Sequence, residues 1–249
     1  MKKLGIIGCG WLGIRIAGYL SGRFEIYSTT SSGDKAEKLA KKGCNPTVVY
    51  FGEEGNLDKH RQWNVLPELD IIVIAVPFSG KNVTKERIQE LLLFVAGFKG
   101  QLFFMSTTGV YPGIEGEYVE ADISPESVLA EGMVKYRFSQ VNVLRLAGLM
   151  GDERLLRNFK IVNPELAVNH IHYLDICSVL ERMIDRQSHA KLYNVVAPFH
   201  PSKYEVINAQ NNIPYAAEGQ VKGKRVSGEK LVSELNFVFK FPDPRCFHL

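Results

Sequence analysis

Residues 2–20 read KKLGIIGCGWLGIRIAGYL, and their pattern determines the class of structure that the rest of the chain completes. The apolar residues Leu4, Ile6 and Ile7 are typical of a short buried strand. A glycine-rich turn follows, and apolar residues then recur at helical spacing as far as Leu20. This order of strand, turn and helix predicts the start of an α/β fold with a parallel sheet.

The turn has the spacing of a dinucleotide-binding loop, Gly8-Cys9-Gly10-Trp11-Leu12-Gly13. Gly8 permits the tight turn, Gly10 lets the backbone approach a pyrophosphate, and Gly13 lets the helix pack closely on the sheet. The helix N-terminus adds free N–H groups and the positive end of its dipole. We predict that a dinucleotide binds here and also contacts the ends of further strands. The predicted cofactor-binding residues are Gly8, Gly10, Trp11, Leu12, Gly13, Thr29, Thr30, Ser31, Ala75, Val76, Pro77 and Ser106.

Strands and helices alternate as far as Leu146. The almost unbroken apolar run at residues 69–77 suits a parallel strand that is covered on both faces. The alternation predicts a Rossmann-type, doubly wound parallel sheet that is complete or nearly complete by Leu146. The predicted strands cover residues 4–7, 24–28, 47–51, 69–77, 101–106 and 141–146, and the predicted helices cover residues 12–20, 34–42, 83–96 and 126–136.

The pattern becomes less regular after Gly151. We therefore expect an NAD(P)-binding domain over residues 1–150 and a small C-terminal substrate lobe over residues 151–249, with segments returning to the Rossmann core. Ligands bind at the carboxyl edge of such sheets, so we expect the lobe to cover that edge. The elements predicted here are a helix at 175–185, a strand at 192–196, a helix at 201–211 and an amphipathic segment at 229–235.

The tip of the second predicted strand bears on the choice of cofactor. A carboxylate there would hydrogen-bond the ribose of NAD and repel the 2′-phosphate of NADP. The tip reads Tyr27-Ser28-Thr29-Thr30-Ser31-Ser32, with no carboxylate before Asp34. Its hydroxyls, with Arg23 and Lys35 close in the chain, could accept the extra phosphate. The lack of a carboxylate at this tip favours NADP over NAD, and the alternative is a polar loop without that role.

Composition argues against several functional classes. The 249 residues carry a formal net charge of +3, and Lys and Arg are spread along the chain, so we predict no nucleic-acid partner. No apolar run has the length of a membrane span and the N-terminus lacks the pattern of a signal peptide, so we expect a cytoplasmic protein with no membrane partner. The sequence leaves the oligomeric state open, with a homodimer as one alternative.

The four cysteines are far apart and lack the spacing of metal ligands, so no metal site is predicted. We expect reduced and mostly buried thiols, with Cys9 of the glycine loop as the accessible one.

Four segments resemble, in order, the extended short-chain dehydrogenase/reductases, the superfamily of nucleotide-sugar epimerases and dehydratases. Each match is weak alone, and their order along the chain is the signal. The segments are MSTTGVYP at residues 105–112, LRLAGLMG at 144–151, IHYLDI at 171–176 and YNVV at 193–196.

The resemblance implies a NAD(P) cofactor and an oxidoreductase or epimerase activity on a small polar substrate, with sugar nucleotides among the candidates. It places the Thr107 hydroxyl, four residues before Tyr111, at a hydroxyl or carbonyl oxygen of the substrate. The alternative role for Thr107 and for Ser106 is to cap the end of a strand. His172 and Asp175 are implied to open a helix and orient the lobe, which is a structural role.

The chain departs from this superfamily at its catalytic dyad, Tyr-x-x-x-Lys, in which the lysine lowers the pKa of the tyrosine. No tyrosine here has a lysine four residues on, and the window where the dyad belongs, residues 127–135, reads SVLAEGMVK. Thr108 and Gly109 replace the acidic pair of the dehydratases. The G-x-G-x-x-G loop in place of G-x-x-G-x-x-G also resembles the atypical branch, whose members keep the cofactor site and have lost or replaced the dyad.

Tyr111 and Lys135 are the candidates for a substitute proton donor, and packing in the V-Y-P turn is the alternative role of Tyr111. Two functions stay open: an enzyme of the atypical branch, with Thr107 and Tyr111 at the substrate, and a sensor that binds NADP(H) without doing chemistry. The run at residues 70–77, ending in A-V-P, also resembles the prephenate and pyrroline-carboxylate dehydrogenases. That resemblance requires an all-helical C-terminal domain, which the strand-like segments there fit poorly.

Overall fold

The computed structural model describes residues 1–52, 62–78, 84–216 and 221–249. Its strands are β1 (Lys2–Ile7), β2 (Phe24–Thr30), β3 (Asn45–Val48), β4 (Ile71–Ile74), β5 (Gln101–Thr107), β6 (Gly116–Tyr118), β7 (Asn142–Leu146), β8 (Gly148–Met150), β9 (His170–His172), β10 (Leu192–Val195) and β11 (Lys224–Val226). Its α-helices are α1 (Trp11–Leu20), α2 (Gly33–Ala40), α3 (Lys85–Phe94), α4 (Leu129–Arg137), α5 (Tyr173–Asp185), α6 (Lys203–Gln210) and α7 (Glu229–Leu235).

The central sheet has seven strands in the order β10-β7-β5-β4-β1-β2-β3. The pairs of β1 with β2, β1 with β4, β2 with β3 and β4 with β5 are parallel. From β1 the chain winds outward through β2 and β3, and it then returns to the other side of β1 to add β4. This is the doubly wound α/β fold that the alternation of strands and helices predicts, and the predicted fold class is confirmed.

Strand register brings the ends of several strands to one edge of the sheet. Ile7 pairs with Ile74, and Ile74 pairs with Phe104. The residues that follow β1 and β4, beginning at Gly8 and Ala75, therefore leave the sheet at the same level. Open α/β sheets bind ligands at this carboxyl edge, which is where the glycine loop lies.

Most element boundaries agree with the sequence prediction to within a few residues, and two differences have a clear cause. β4 ends at Ile74 although the apolar run continues to Pro77. Of the three residues that follow in the run, Val76 is buried next to Gly8 rather than in the strand. α4 begins at Leu129 instead of residue 126, because a short 3-10 turn at Pro125–Ser127 precedes it. Val83, predicted to start α3, lies outside the described residues.

The chain divides into two compact units. The first unit consists of Met1–Ser106, Ser124–Val143 and Ile184–Lys191. The second unit consists of Thr107–Ile123, Leu144–Met183 and Leu192–Leu249. Each is thus assembled from three segments of chain, and the domain boundary predicted near residue 150 stays a prediction.

The second unit contains short strands as well as helices. β6 pairs with β11, and β8 pairs with β9, both in parallel. None of these three-residue strands was predicted, because so short a segment shows no alternation of apolar and polar residues. In the described ranges, no helix combines the length and apolar character that crossing a bilayer requires.

Candidate functional site

The glycine loop joins β1 to α1 in the first unit, and its shape requires glycine at two positions. Gly8 has a φ of 88°, and a Cβ there would lie 2.7 Å from Cγ2 of Val76 and 2.8 Å from its backbone nitrogen. A Cβ on Gly13 would lie 2.8 Å from the carbonyl oxygen of Gly8. Gly10 differs, because a Cβ there would meet no atom within 4 Å. The loop is therefore closely packed at Gly8 and Gly13 and open at Gly10.

Three hydrogen bonds hold the loop in this shape. The Gly8 N–H donates to Oγ1 of Thr29 at 3.0 Å, and the Cys9 N–H donates to the carbonyl oxygen of Thr29 at 2.8 Å. The Gly10 N–H donates to the carbonyl oxygen of Gly8 at 2.8 Å. Thr29 thus fastens the loop to the carboxyl end of β2.

The start of α1 leaves its backbone donors without a capping side chain. Gly10 is the N-cap residue, and no side-chain hydrogen bond caps the helix. The first N–H groups of a helix have no partner within the helix, so they can bind an anion that approaches the helix end. The Arg15 guanidinium lies 3.8 Å from the centre of the Trp11 ring and adds positive charge to the first turn. The open side of Gly10 therefore faces a helix end that is suited to phosphate.

At the tip of β2, the predicted hydroxyl residues differ in exposure. Thr29 and Thr30 are buried, at 1% and 7% exposed, whereas Ser31 is exposed. Lys35 is also exposed, in the first turn of α2. The prediction that Arg23 lies near this tip is wrong. Arg23 precedes the first residue of β2, at the opposite end of the strand, and forms an ion pair with Asp185 at 2.6 Å.

Two other strand ends of the first unit carry predicted site residues. After β4, the Ala75 N–H donates to the carbonyl oxygen of Ile7 at 2.8 Å, Val76 is buried and Pro77 is exposed. Near the end of β5, the hydroxyl of Ser106 donates to Oε1 of Glu131 on α4. Glu131 is completely buried, and it is not among the site residues predicted from the sequence. The sequence feature that could have revealed it is an acidic residue among the apolar residues of a predicted helix.

Cys9 is not the accessible thiol that its place in the loop suggested. It is 3% exposed, and burial raises its pKa to about 12. Cys44 and Cys177 are also buried, and the exposed cysteine is Cys246. The prediction of an accessible Cys9 is wrong, because the side chain turns into the protein while the glycines on either side form the loop. No group of three metal-ligating side chains occurs in the part of the chain that the structure describes.

Thr107 begins the first segment of the second unit. Its Oγ1 accepts a hydrogen bond from the Gly109 N–H at 3.0 Å, which caps the 3-10 turn at Thr108–Val110. The side chain is half-buried. A hydroxyl that accepts this bond still has its own proton to donate, so the cap and a contact with substrate are compatible.

Tyr111 occupies a closed hydrogen-bond network of the second unit. The residue is 2% exposed, and its hydroxyl donates to Oδ1 of Asn194 at 2.9 Å. Nη1 of Arg145, which is completely buried, donates to the same hydroxyl at 3.0 Å. Burial raises the pKa of Tyr111, against the opposing effect of Arg145. This geometry favours the packing role and gives the hydroxyl no path to a ligand.

Lys135, the other candidate proton donor, is an exposed residue of α4. Its Nζ donates to Oε1 of Glu126 at 2.7 Å. This ion pair, with a hydrogen bond from Ser124, lowers the pKa of the Glu126 carboxyl to about 2. Lys135 is therefore paired at the surface.

Lys224 of β11 is not among the site residues predicted from the sequence. Its Nζ donates to the carbonyl oxygens of Tyr111 at 3.2 Å and Thr108 at 3.4 Å. Burial lowers its pKa. The lysine thus lies against the turn that Thr107 begins, a contact across more than a hundred residues that no local pattern predicts.

The histidine and aspartate of the IHYLDI segment make structural contacts. The His172 ring stacks on Phe241 with 3.9 Å between ring centres. The Asp175 carboxylate accepts hydrogen bonds from the N–H groups of Lys240 at 2.8 Å and Phe241 at 3.0 Å. Both residues bind the C-terminal segment within the second unit.

The whole chain is similar to known proteins in sequence and in structure. No protein-family model matches its sequence. Protein YeeZ of Escherichia coli (strain K12) is 26% identical, and the match covers 98% of each chain. A structure of a functionally unknown conserved protein from Silicibacter pomeroyi DSS superposes with a TM-score of 0.75 and 21% identity, covering 100% of this chain and 97% of the other.

Two solved structures with descriptive names superpose almost as well. One is dTDP-glucose 4,6-dehydratase from Bacillus anthracis str. Ames in complex with NAD, with a TM-score of 0.68, 17% identity and coverage of 98% and 94%. The other is the human epimerase family protein SDR39U1 with NADPH, with a TM-score of 0.68, 15% identity and coverage of 98% and 97%. The chain therefore shares the Rossmann-type α/β fold of these structures.

This shared fold distinguishes between the two resemblances seen in the sequence. The prephenate-type alternative required an all-helical C-terminal domain. The C-terminal part instead contains β9, β10 and β11, and the matching structures cover nearly the whole chain. The resemblance to the extended short-chain dehydrogenase/reductases is confirmed at the level of the fold.

Proposed function

We propose that the protein binds a nicotinamide dinucleotide at the loop of residues 8–13 and acts as an oxidoreductase or epimerase-like enzyme on a small polar substrate. One observation carries the proposal: Gly10 faces open space at the uncapped start of α1, where a Cβ would meet no protein atom within 4 Å. Glycine is not needed there for packing, and the open space lies at a helix N-terminus, where a phosphate can approach the backbone.

The residues around the loop fit such a cofactor. The N–H groups at the start of α1 would hold the pyrophosphate, and Val76 closes the loop behind Gly8. A bound nicotinamide would supply two-electron redox chemistry. Similar structures bear names that include NAD or NADPH, which supports the choice of cofactor class.

We propose NADP as the preferred cofactor. The tip of β2 carries no carboxylate, Ser31 is exposed, and Lys35 offers a positive charge in the first turn of α2. Arg23 lies at the opposite end of β2, so Ser31 and Lys35 are the groups that could meet a 2′-phosphate. On the substrate side, Thr107 is the group we propose to contact a hydroxyl or carbonyl oxygen. The closed network around Tyr111 excludes that residue from our proposal.

The test is a calorimetric titration of the purified protein with NADPH and with NADH. We expect both to bind and NADPH to bind more tightly. The variant Gly10→Val is expected to lose binding without loss of folding, since the added atoms would occupy the space of the pyrophosphate. The control is Gly18→Ala in the same helix, where a Cβ also meets no atom within 4 Å but lies away from the loop. Equal binding by Gly10→Val and Gly18→Ala would reject the site.

A second function, a sensor that binds NADP(H) without chemistry, is favoured by one specific observation. The superfamily's dyad is missing, and the described residue closest to a substitute, Tyr111, has its hydroxyl buried between Arg145 and Asn194. A panel of carbonyls, alcohols and sugar nucleotides with NADP(H) separates the two. Turnover that Thr107→Val abolishes, with cofactor affinity unchanged, excludes the sensor. Cofactor binding without turnover of any panel member supports it.

A further inference from the structure

Lys224 is half-buried and lies on the inward-facing side of β11. Side chains alternate between the two faces of a strand, so Lys224 and Val226 of β11 share one face and Arg225 lies on the other. Val226 is completely buried and Arg225 is exposed. The inward face of β11 thus places an ammonium group where an apolar residue would be expected.

The contacts of this ammonium do not neutralise its charge. Nζ donates to two neutral acceptors, the carbonyl oxygens of Tyr111 and Thr108. Among the described residues, no carboxylate lies within ion-pair distance of it. A lysine ammonium has three N–H donors, so one remains after these two bonds. The charge is partly removed from water, and burial is the one cause that shifts its pKa.

The two carbonyl acceptors place Lys224 beside the turn that contains Thr107, the residue proposed to contact the substrate. Both carbonyl acceptors belong to the turn at residues 107–111, whose first residue is Thr107. The neighbouring charges on the same segment are also positive, with Lys222 and Arg225 exposed on either side. Across the strand pair, Arg225 is in register with Glu117, and Lys224 is in register with Gly116. The charge of Lys224 therefore faces no acidic partner along this pair.

We propose that Lys224 binds an anionic group of the substrate, a phosphate or a carboxylate, beside the Thr107 turn. The proposal rests on the proposed function in that it names the class of substrate. A partly buried ammonium without a counter-charge is unfavourable, and a bound anion would compensate it through a charge-assisted hydrogen bond. The competing explanation is a structural clamp, in which the two carbonyl bonds hold the turn and no ligand binds.

Competitive acetylation distinguishes a ligand site from a clamp in the unmodified protein. Trace acetic anhydride reacts with the neutral amine, and mass spectrometry measures the rate at each lysine. The probes are inorganic pyrophosphate for a phosphate group and malonate for a carboxylate, each added with saturating NADPH so that the glycine loop is occupied. At a probe concentration about twice its dissociation constant, we expect acetylation of Lys224 to slow about threefold.

Lys222 serves as the internal control, because it lies two residues away on the same segment and is exposed. We expect no protection of Lys222 by either probe. Protection by pyrophosphate alone would identify a phosphate, and protection by malonate alone a carboxylate. Acetylation of Lys224 that neither probe slows, or that slows equally at Lys222, overturns the proposal and leaves the clamp.

Variants provide a second readout that does not depend on labelling. The rise in melting temperature caused by the effective probe is expected to persist in Lys224→Arg and Lys222→Gln and to vanish in Lys224→Gln. A rise that persists in Lys224→Gln rejects the site. The NADPH titration of the same preparations separates the two proposals: normal NADPH binding with unprotected Lys224 rejects only the anion site. Protected Lys224 without NADPH binding rejects only the cofactor site.

Discussion

The hydroxyl of Ser106 donates a hydrogen bond to the carboxylate of Glu131, and so links the end of β5 to α4 within the first unit. Glu131 is completely buried and Ser106 is half-buried. A buried carboxylate depends on its donors, because it has lost its contact with water. The pair therefore gives Ser106 a structural role at a strand end that also lies next to the proposed cofactor site.

Ser106→Ala is expected to lower the free energy of unfolding by about 1–3 kcal/mol, because it removes a hydrogen-bond donor from the buried side chain of Glu131. Urea unfolding at neutral pH measures the change. Ser124→Ala is the matched control, since it removes a hydroxyl that donates to an exposed carboxylate, Glu126. The control is expected to unfold like the wild type. Equal losses in the two variants would show that burial of Glu131 does not matter.

The glycine loop yields a contrast between two substitutions only two residues apart. Gly8→Ala is expected to destabilise the protein by at least roughly 1–2 kcal/mol, since alanine at a φ of 88° is strained and its Cβ would overlap Val76. Gly10→Ala is expected to be neutral for stability, because its φ is −87° and its Cβ meets no atom. Thermal unfolding of both variants checks this. Destabilisation by Gly10→Ala would show that the open space at the start of α1 is needed by the fold itself.

The glycine loop could be located from the sequence because its requirements are local. The spacing of Gly8, Gly10 and Gly13 follows from one tight turn and one close helix contact, both within a few residues. The buried strands of the sheet were also predictable, since each is a continuous apolar run. Arg23 was predicted near the phosphate because it is close in the chain to the tip of β2. β2 then carries its tip roughly 20 Å away, at 3.3 Å for each of its residues.

Contacts between distant parts of the chain account for what the sequence could not predict. Lys224 and Tyr111 are 113 residues apart, and their contact depends on the pairing of β11 with β6. Arg145 stands in a buried strand, where its neighbours predict an apolar residue; its partners Tyr111, Glu120 and Ile123 come from a separate segment. Cys9 was misjudged because exposure depends on which way the side chain turns within a loop.

Removing the buried hydroxyl of Tyr111 is expected to destabilise the protein strongly. Tyr111→Phe leaves Nη1 of Arg145 and Oδ1 of Asn194 without this buried partner, so we expect a loss of about 1–3 kcal/mol in the free energy of unfolding. Tyr118→Phe is the control, because its hydroxyl makes an exposed hydrogen bond of 3.4 Å to the carbonyl oxygen of Ile114. Urea unfolding compares the two. If Tyr111→Phe unfolds like Tyr118→Phe, the hydroxyl is not held by the network, and its role as a proton donor must be reconsidered.

The lowered pKa of His172 leads us to expect that the second unit loses stability in acid. Burial lowers the pKa of His172 from its ordinary value of 6.5 to about 4, and Nδ1 accepts a hydrogen bond from the Leu174 N–H. Between pH 6.5 and 4 the unfolded chain therefore binds a proton that the folded protein does not. The contribution of His172 is fully present above pH 6.5 and is lost as the pH falls toward 4.

His172→Phe isolates this contribution, because phenylalanine can keep the stacking on Phe241 and does not titrate. Half-buried His170 and His200, whose pKa values are also lowered, and Asp175, whose pKa is raised, titrate in both proteins. Their effects cancel when the two profiles are subtracted. We expect urea unfolding between pH 7.5 and 4.5 to show a shallower fall in stability for His172→Phe than for the wild type. Parallel profiles would mean that His172 becomes protonated in the folded protein as readily as in the unfolded chain.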